Sequence, residues 1–263
     1  MRLQQVSAVQ VAPVKVPAPK VVVWEAFDAA DPVTKAAGKL YEETLSADER
    51  IPWEWIERSI RDRVKAKPKS GGWLKHLLLA APDGQQDDPE SLAGYAYGAF
   101  LPGYGGYLCY VGVAEPARRL GVGRRLFEQF FKVLRVDAGE LGESLPFVIW
   151  ESHRPEPDAS ERDWDVWAAR TRLFDRVGGL WVEGVNFLAP NFSDDEEDTA
   201  PVPLQLFLKP VDAPEESFTP ERVREVVGGL HQRVYRNAPG TALFDGTLPP
   251  GCEPRLRPAS EAE

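Results

Sequence analysis

The residues of this sequence best suited to chemistry form a short turn rich in arginine and glycine. The turn follows an apolar run at residues 107–113 and opens a helical pattern. A glycine-rich turn at a helix start exposes backbone N–H groups backed by the positive end of the helix dipole. This arrangement predicts a phosphate or pyrophosphate site, although spacing alone also fits an ordinary basic helix N-terminus. The residues concerned are Arg118, Arg119, Leu120, Gly121, Val122, Gly123 and Arg124.

The patterns on both sides of this turn predict a mixed α/β fold with a mostly antiparallel sheet of about six to seven strands flanked by helices. Strand-like runs occur at residues 21–27, 73–81, 92–101, 107–113, 147–150, 180–188 and 202–208. Helical spacing occurs at residues 32–45, 53–64, 122–138, 164–177 and 220–235. Short turns between the strands at 73–113 indicate an antiparallel meander.

Composition along the chain predicts four parts. Residues 1–19 lack a continuous apolar segment and are expected to form a flexible arm. Residues 20–212 hold the α/β pattern and form the main domain. Residues 213–245 are expected to be a helical extension, and the Pro-rich residues 246–263 a disordered tail.

Charge and composition exclude several classes of protein. Acidic residues outnumber basic ones by 41 to 31, giving a net charge of −10, which argues against a nucleic-acid partner and favours a cationic or neutral one. No apolar run approaches the roughly 20 residues that span a bilayer, so no membrane partner is expected. Two cysteines form no disulfide framework, which indicates the cytoplasm. The three histidines are isolated, so no metal site is expected.

The order of elements together with the turn resembles the GNAT superfamily of N-acetyltransferases. The superfamily signature Q/R-x-x-G-x-G/A after a strand is matched by Arg118-Arg119-Leu120-Gly121-Val122-Gly123. The resemblance covers about residues 20–210. It implies that strands four and five, at 107–113 and 147–151, splay apart.

The resemblance also implies that acetyl-CoA is the acyl donor. Its pyrophosphate would lie on the amides of residues 119–124. Its pantetheine arm would pair with the strand edge at Val111 and Val113 as an additional strand. Acetyl transfer is then expected where the two strands separate, without a metal.

The catalytic residues follow less directly from the resemblance. The family usually has a tyrosine as proton donor four residues before the glycine that ends the second motif helix, and this chain has Phe174 there. Tyr110, Ser152 or water could replace it, or the activity could be lost. Glu151 ends the fifth strand and is the preferred base, with capping or pairing with an arginine as its alternative. His153 is a weaker candidate in a polar loop.

These expectations combine into an N-acetyltransferase acting on a primary amine of a small cationic molecule, by direct attack in a ternary complex. Three alternatives remain open: a non-catalytic acyl-CoA-binding or regulatory module, a transferase for a longer acyl chain, and a transferase for a protein amine. The helix at 220–235 is expected either to form a homodimer surface or to pack on the sheet.

Overall fold

The computed structural model describes residues 20–65, 72–193 and 200–262. The predicted arm at 1–19 therefore lies outside the described residues. The strands are β1 (Val21–Glu25), β2 (Leu74–Pro82), β3 (Gly94–Leu101), β4 (Gly105–Val113), β5 (Phe147–Ser152), β6 (Leu180–Glu183), β7 (Phe187–Ala189), β8 (Val202–Pro210) and β9 (Arg255–Pro258). The helices are α1 (Pro32–Thr44), α2 (Trp53–Lys65), α3 (Val122–Glu140), α4 (Glu161–Arg176), α5 (Pro220–Leu230) and α6 (Ala242–Thr247). A π-helical turn, His231–Tyr235, continues α5.

The sheet has the predicted mixed, mostly antiparallel character. Its order is β1-β2-β3-β4-β5-β8-β6-β9, with β7 paired to β8, and β4–β5 is the parallel pair. The described residues form nine strands rather than the expected six to seven. One reason is that the single strand expected at 180–188 divides into β6 and β7, because Gly184 has φ +84° and turns the chain between them.

The predicted separation of the fourth and fifth strands is confirmed. β4 and β5 pair only at Gly106 with Val148 and at Tyr107 with Ile149, after which the strands diverge. β4 also contains a bulge, because Tyr97 of β3 opposes Tyr110 whereas Gly98 opposes Leu108. The extra residue, Cys109, interrupts the side-chain alternation of β4 at the place where the strands separate.

The core lies on both faces of the sheet. In β2, Leu78 and Ala80 pack with α3 and α4, whereas Leu77 and Leu79 pack with α1 and α2. This alternation is the two-residue period of a strand with both faces covered. α5 covers the second face farther along the sheet, so its apolar side is occupied within the chain. Packing on the sheet is therefore what the structure shows for the helix at 220–235.

The predicted disordered tail at 246–263 is wrong for the residues that the structure describes. α6 extends into it, β9 pairs with β6, and Ala259 and Ala262 are buried. Trp167 Nε1 of α4 also donates a hydrogen bond to the carbonyl of Ala262, at 3.2 Å. Composition could not indicate this order, because the stabilising partner is the edge of a strand about 75 residues earlier. No described helix is long and apolar enough to cross a bilayer.

Candidate active site

The predicted phosphate turn connects β4 to the first turn of α3. Arg119 and Gly121 both have left-handed backbone conformations, with φ +70° and +81°. Gly121 is the N-cap of α3, and neither a side-chain cap nor an acidic first-turn residue neutralises the helix start. The first-turn N–H groups therefore remain available for an anion.

The two glycines of the turn do different things. A Cβ at Gly121 would meet no atom within 4 Å, so the space over this N-cap is open. A Cβ at Gly123 would lie 3.0 Å from Leu173 Cδ2 of α4 and 3.7 Å from Val113 Cγ2 of β4. Gly123 is therefore needed for close packing of α3, and only its backbone N–H is a candidate ligand group.

Most side chains of the turn are exposed. Arg118, Arg119, Leu120 and Arg124 face solvent, whereas Val122 is buried in the core. Arg124 pairs with Glu128 one turn along α3, with Nε and Oε1 2.7 Å apart. Its guanidinium is thus directed along the helix, whereas the exposed Arg118 and Arg119 immediately precede the N-cap.

The edge of β4 leads directly to this turn. Beyond Tyr107, β4 has no pairing with β5 among the described strands, so one side of residues 108–113 is open to a ligand. Val111 and Val113 are half-buried and pack against the cluster beneath α3 and α4. A chain that paired with this edge would reach the N-terminus of α3 at one end and the opening between β4 and β5 at the other.

Glu151 lies in that opening, held by two tyrosine hydroxyls. Tyr107 of β4 donates to its Oε1 at 2.7 Å, and Tyr235 of the π-helical turn donates to the same oxygen. The two hydroxyl oxygens are 3.1 Å apart. Oε2 is buried and has no hydrogen-bond partner in the part of the chain that the structure describes.

The environment of Glu151 makes it a plausible base at neutral pH. Burial raises the pKa of Glu151 to about 7, although the hydrogen bonds from Tyr107 and Tyr235 lower it, and the charge of Glu49 raises it further. A carboxyl group with this pKa can both accept and release a proton near pH 7. The unpartnered Oε2 is the atom available for that exchange.

The other predicted donors are engaged elsewhere. Tyr110 donates to the carbonyl of Glu49 and accepts from Ile51 N–H, both at 3.2 Å, so its hydroxyl holds the α1–α2 connection against β4. Ser152 Oγ accepts from Arg170 Nη1 of α4 at 3.0 Å, and the same nitrogen lies 3.1 Å from the carbonyl of His153. Both hydrogen bonds of the Tyr110 hydroxyl thus go to the α1–α2 connection, and its role as a proton donor stays a prediction.

Phe174, at the position where the resemblance implies a tyrosine donor, packs as a core residue. Its ring is buried between Phe127, Trp150 and Phe207, with centroids 5.8, 5.5 and 4.7 Å away. The Phe174 side chain is therefore part of the hydrophobic core beneath α3 and α4.

Sequence analysis missed the two tyrosines that bind Glu151. Tyr107 could have been found from strand geometry, because it pairs with Ile149, two residues before Glu151. No local signal predicts Tyr235, which lies 84 residues after Glu151. Among the described residues, no group of three His, Cys, Asp or Glu side chains is arranged to hold a metal ion.

Comparison with known proteins agrees with this geometry. Residues 36–141 match the model of the acetyltransferase (GNAT) family. No curated protein matches the chain. A GNAT-family protein from Bacteroides thetaiotaomicron has a similar structure, with a TM-score of 0.54 and 16% identity over 81% of this chain and 98% of that one. The ribosomal-protein-S18-alanine N-acetyltransferase from Escherichia coli has a TM-score of 0.42 and 14% identity, and the match covers 73% of this chain and 94% of the Escherichia coli chain. The first structure shows that the fold is the predicted one.

Proposed function

Since residues 36–141 match the model of the acetyltransferase (GNAT) family, we propose that this protein transfers an acetyl group from acetyl-CoA to a primary amine of a small cationic molecule. The transfer is a direct attack within a ternary complex. The observation that carries the proposal is the carboxyl group of Glu151, which has a pKa of about 7 and an unpartnered oxygen where β4 and β5 separate.

The donor site fits acetyl-CoA on three features of this structure. The N-terminus of α3 is uncapped, the space over Gly121 is open, and the adjoining edge of β4 is unpaired among the described strands. The amides of residues 119–124 would bind the pyrophosphate, with Arg118 and Arg119 beside them. The edge at Val111 and Val113 would pair with the pantetheine amides and direct the thioester into the opening.

The reaction needs a neutral amine. Glu151 takes a proton from the ammonium group, directly or through one water molecule, and the amine nitrogen attacks the thioester carbon. The C–N bond forms, the attacking nitrogen loses its second proton to solvent, and the C–S bond breaks so that coenzyme A leaves as a thiolate. Because Phe174 offers no proton at the usual donor position, the proton for the sulfur comes from Glu151 or from solvent.

The charges around the opening favour a cationic acceptor. Glu49, in the connection after α1, is close enough for its charge to raise the pKa of Glu151. Two carboxyl groups therefore contribute negative charge to the opening between β4 and β5, and the net charge of the chain is −10. A small cationic amine is attracted by both, whereas an acidic acceptor is repelled. The two free thiols, Cys109 and Cys252, are consistent with action in the reducing cytoplasm.

One observation favours a second candidate function. Phe174 removes a proton donor, as expected for a module that binds acyl-CoA without turnover. Such a module would keep the phosphate turn and the β4 edge and would have no need for a carboxyl group that titrates near neutral pH.

The test is release of coenzyme A thiol from acetyl-CoA in the presence of polyamines, amino sugars, amino acids and peptide amines. We expect release that depends on one class of small cationic amine and is lost in Glu151→Gln. Calorimetry with acetyl-CoA runs in parallel. Binding without release for any amine would contradict the proposal and favour the binding module. Release only with peptides, or preference for a longer acyl-CoA, would correct the substrate class.

A further inference from the structure

The C-terminal extension is fixed against the sheet next to the opening. α5 lies close to the turn between β3 and β4, because a Cβ at Gly229 would come within 2.6 Å of the Tyr104 ring. Tyr104 donates its hydroxyl hydrogen bond to the carbonyl of Val226 at 2.6 Å. Arg233 extends this contact by donating to the carbonyls of Pro102 and Gly103, both at 3.3 Å.

The π-helical turn that follows α5 is supported on its inner side. The rings of His231 and Phe187 lie 5.0 Å apart, and both are about 6 Å from the ring of Tyr235. His231 Nε2 lies 2.9 Å from Thr247 Oγ1 of α6. Arg236 then ends the turn with φ +61°. π-Helical turns are rare in proteins and occur frequently at functional sites.

Tyr235 is the last residue of this turn, and its hydroxyl contacts both Glu151 and Tyr107. Two donors on Oε1 fix the orientation of the carboxyl group, and Oε2 is the oxygen left without a partner among the described residues. A rigid carboxyl group with one free oxygen is what a base needs to receive a proton from a defined direction.

We propose that Tyr235 is a positioning residue of the acetyl-transfer site, supplied by the C-terminal extension, which holds Glu151 so that Oε2 faces the acceptor amine. The inference rests on the proposed function, because it assumes that Glu151 is the base. It assigns to the extension a part in the reaction that lies outside residues 36–141, where the family model matches.

The titratable groups near Glu151 determine which substitutions can change its pKa. They are Glu49 from the α1–α2 connection, Tyr104 from the β3–β4 turn, Tyr107, Cys109 and Tyr110 from β4, and Tyr235. Burial raises the pKa of the cysteine and of each tyrosine, so these groups stay neutral near pH 7. The carboxyl group of Glu49, which raises the pKa of Glu151, is untouched when the Tyr235 hydroxyl is removed.

The experiment compares Tyr235→Phe with a matched control, Tyr95→Phe. Tyr95 is also buried, and its hydroxyl lies 2.9 Å from Thr44 Oγ1 without contacting Glu151. Each variant loses one buried hydroxyl group, so melting temperatures reveal any general damage. The readout is ¹³C NMR titration of the Glu151 carboxyl carbon, with its resonance assigned by its absence in Glu151→Gln.

We expect the pKa of Glu151 to rise by about one unit or more in Tyr235→Phe, because a hydrogen bond to the charged form is lost. Tyr107→Phe, which removes the other donor to Oε1, shifts the titration in the same direction. Tyr95→Phe leaves it at the wild-type value. An unchanged titration in a folded Tyr235→Phe protein would overturn the proposal.

Kinetics separate this inference from the proposed function. In Tyr235→Phe, the acid limb of the kcat/KM profile for acetyl transfer should shift to higher pH by the same amount as the NMR titration. A carboxyl titration that moves while the acid limb stays in place would overturn the base role of Glu151 itself, although the contact with Tyr235 would be established.

Discussion

Glu151, the proposed base, is a buried carboxyl group whose raised pKa is expected to lower the stability of the folded protein at neutral pH. The sequence predicts its place at the end of a strand, since the apolar run that precedes it is local information. Its pKa could not be predicted, because burial and two distant hydroxyls determine it. A pKa raised from 4.5 to about 7 means that the folded state resists the charged form of this group.

This cost can be measured with Glu151→Gln. Between about pH 4.5 and 7 the folded wild-type protein binds more protons than the unfolded chain, so its free energy of unfolding falls as pH rises. The glutamine variant has no such loss. We therefore expect its stability relative to wild type to increase by roughly 3 kcal/mol between about pH 5 and pH 8.5.

Urea denaturation of both proteins at the two pH values provides this measurement. His76 has a pKa above 6.5, because hydrogen bonds to Asp137 and Glu25 outweigh the lowering by burial. It titrates in both proteins, so its contribution cancels from the difference. A difference in stability that does not change with pH would show that the carboxyl group of Glu151 is not perturbed.

Among the elements, α3 was predicted most fully, because its turn, glycines and apolar face are all encoded locally. Its start and its buried face, which includes Leu126, Phe130 and Leu134, agree with the predicted spacing. The segments that the sequence did not predict depend on distant partners. β9 is stabilised by pairing with the edge of β6, and the π-helical turn is stabilised by contacts with α6 and β7.

The start of α3 gives a test of anion binding that separates charge from shape. At Gly121, asparagine and aspartate both tolerate the left-handed backbone, and neither meets a neighbour at Cβ. Aspartate places a negative charge where a phosphate would bind, whereas asparagine has nearly the same shape. We expect Gly121→Asp to bind acetyl-CoA about tenfold or more weakly than Gly121→Asn.

Calorimetry at low and high salt measures the difference in acetyl-CoA affinity between the two variants, which should become smaller as the salt concentration increases. Aspartate at a helix N-terminus is stabilising, so weaker binding by this variant could not be assigned to unfolding. Equal affinities of the two variants would remove the phosphate site from α3. A bulky residue at Gly123 would test the site less clearly, because it would also disturb the packing of Leu173.

At the scale of the whole molecule, two segments far apart in sequence pack on either side of the candidate active site. The α1–α2 connection reaches β4 through Tyr110, and the C-terminal extension reaches β5 through Tyr235. The family resemblance correctly predicted the sheet and its opening. It could not predict the extension's contact with Glu151, which arises from the tertiary packing of α5 on the sheet.

The most direct test of this account is the pH dependence of kcat/KM for acetyl transfer, in wild type and in Glu151→Gln, with the amine that supports turnover. We predict an acid limb with an apparent pKa near 7 in the wild-type protein. Glu151→Gln should lose that limb and about 100-fold or more of the rate. A Glu151→Gln protein with the wild-type rate and the same acid limb would contradict the account.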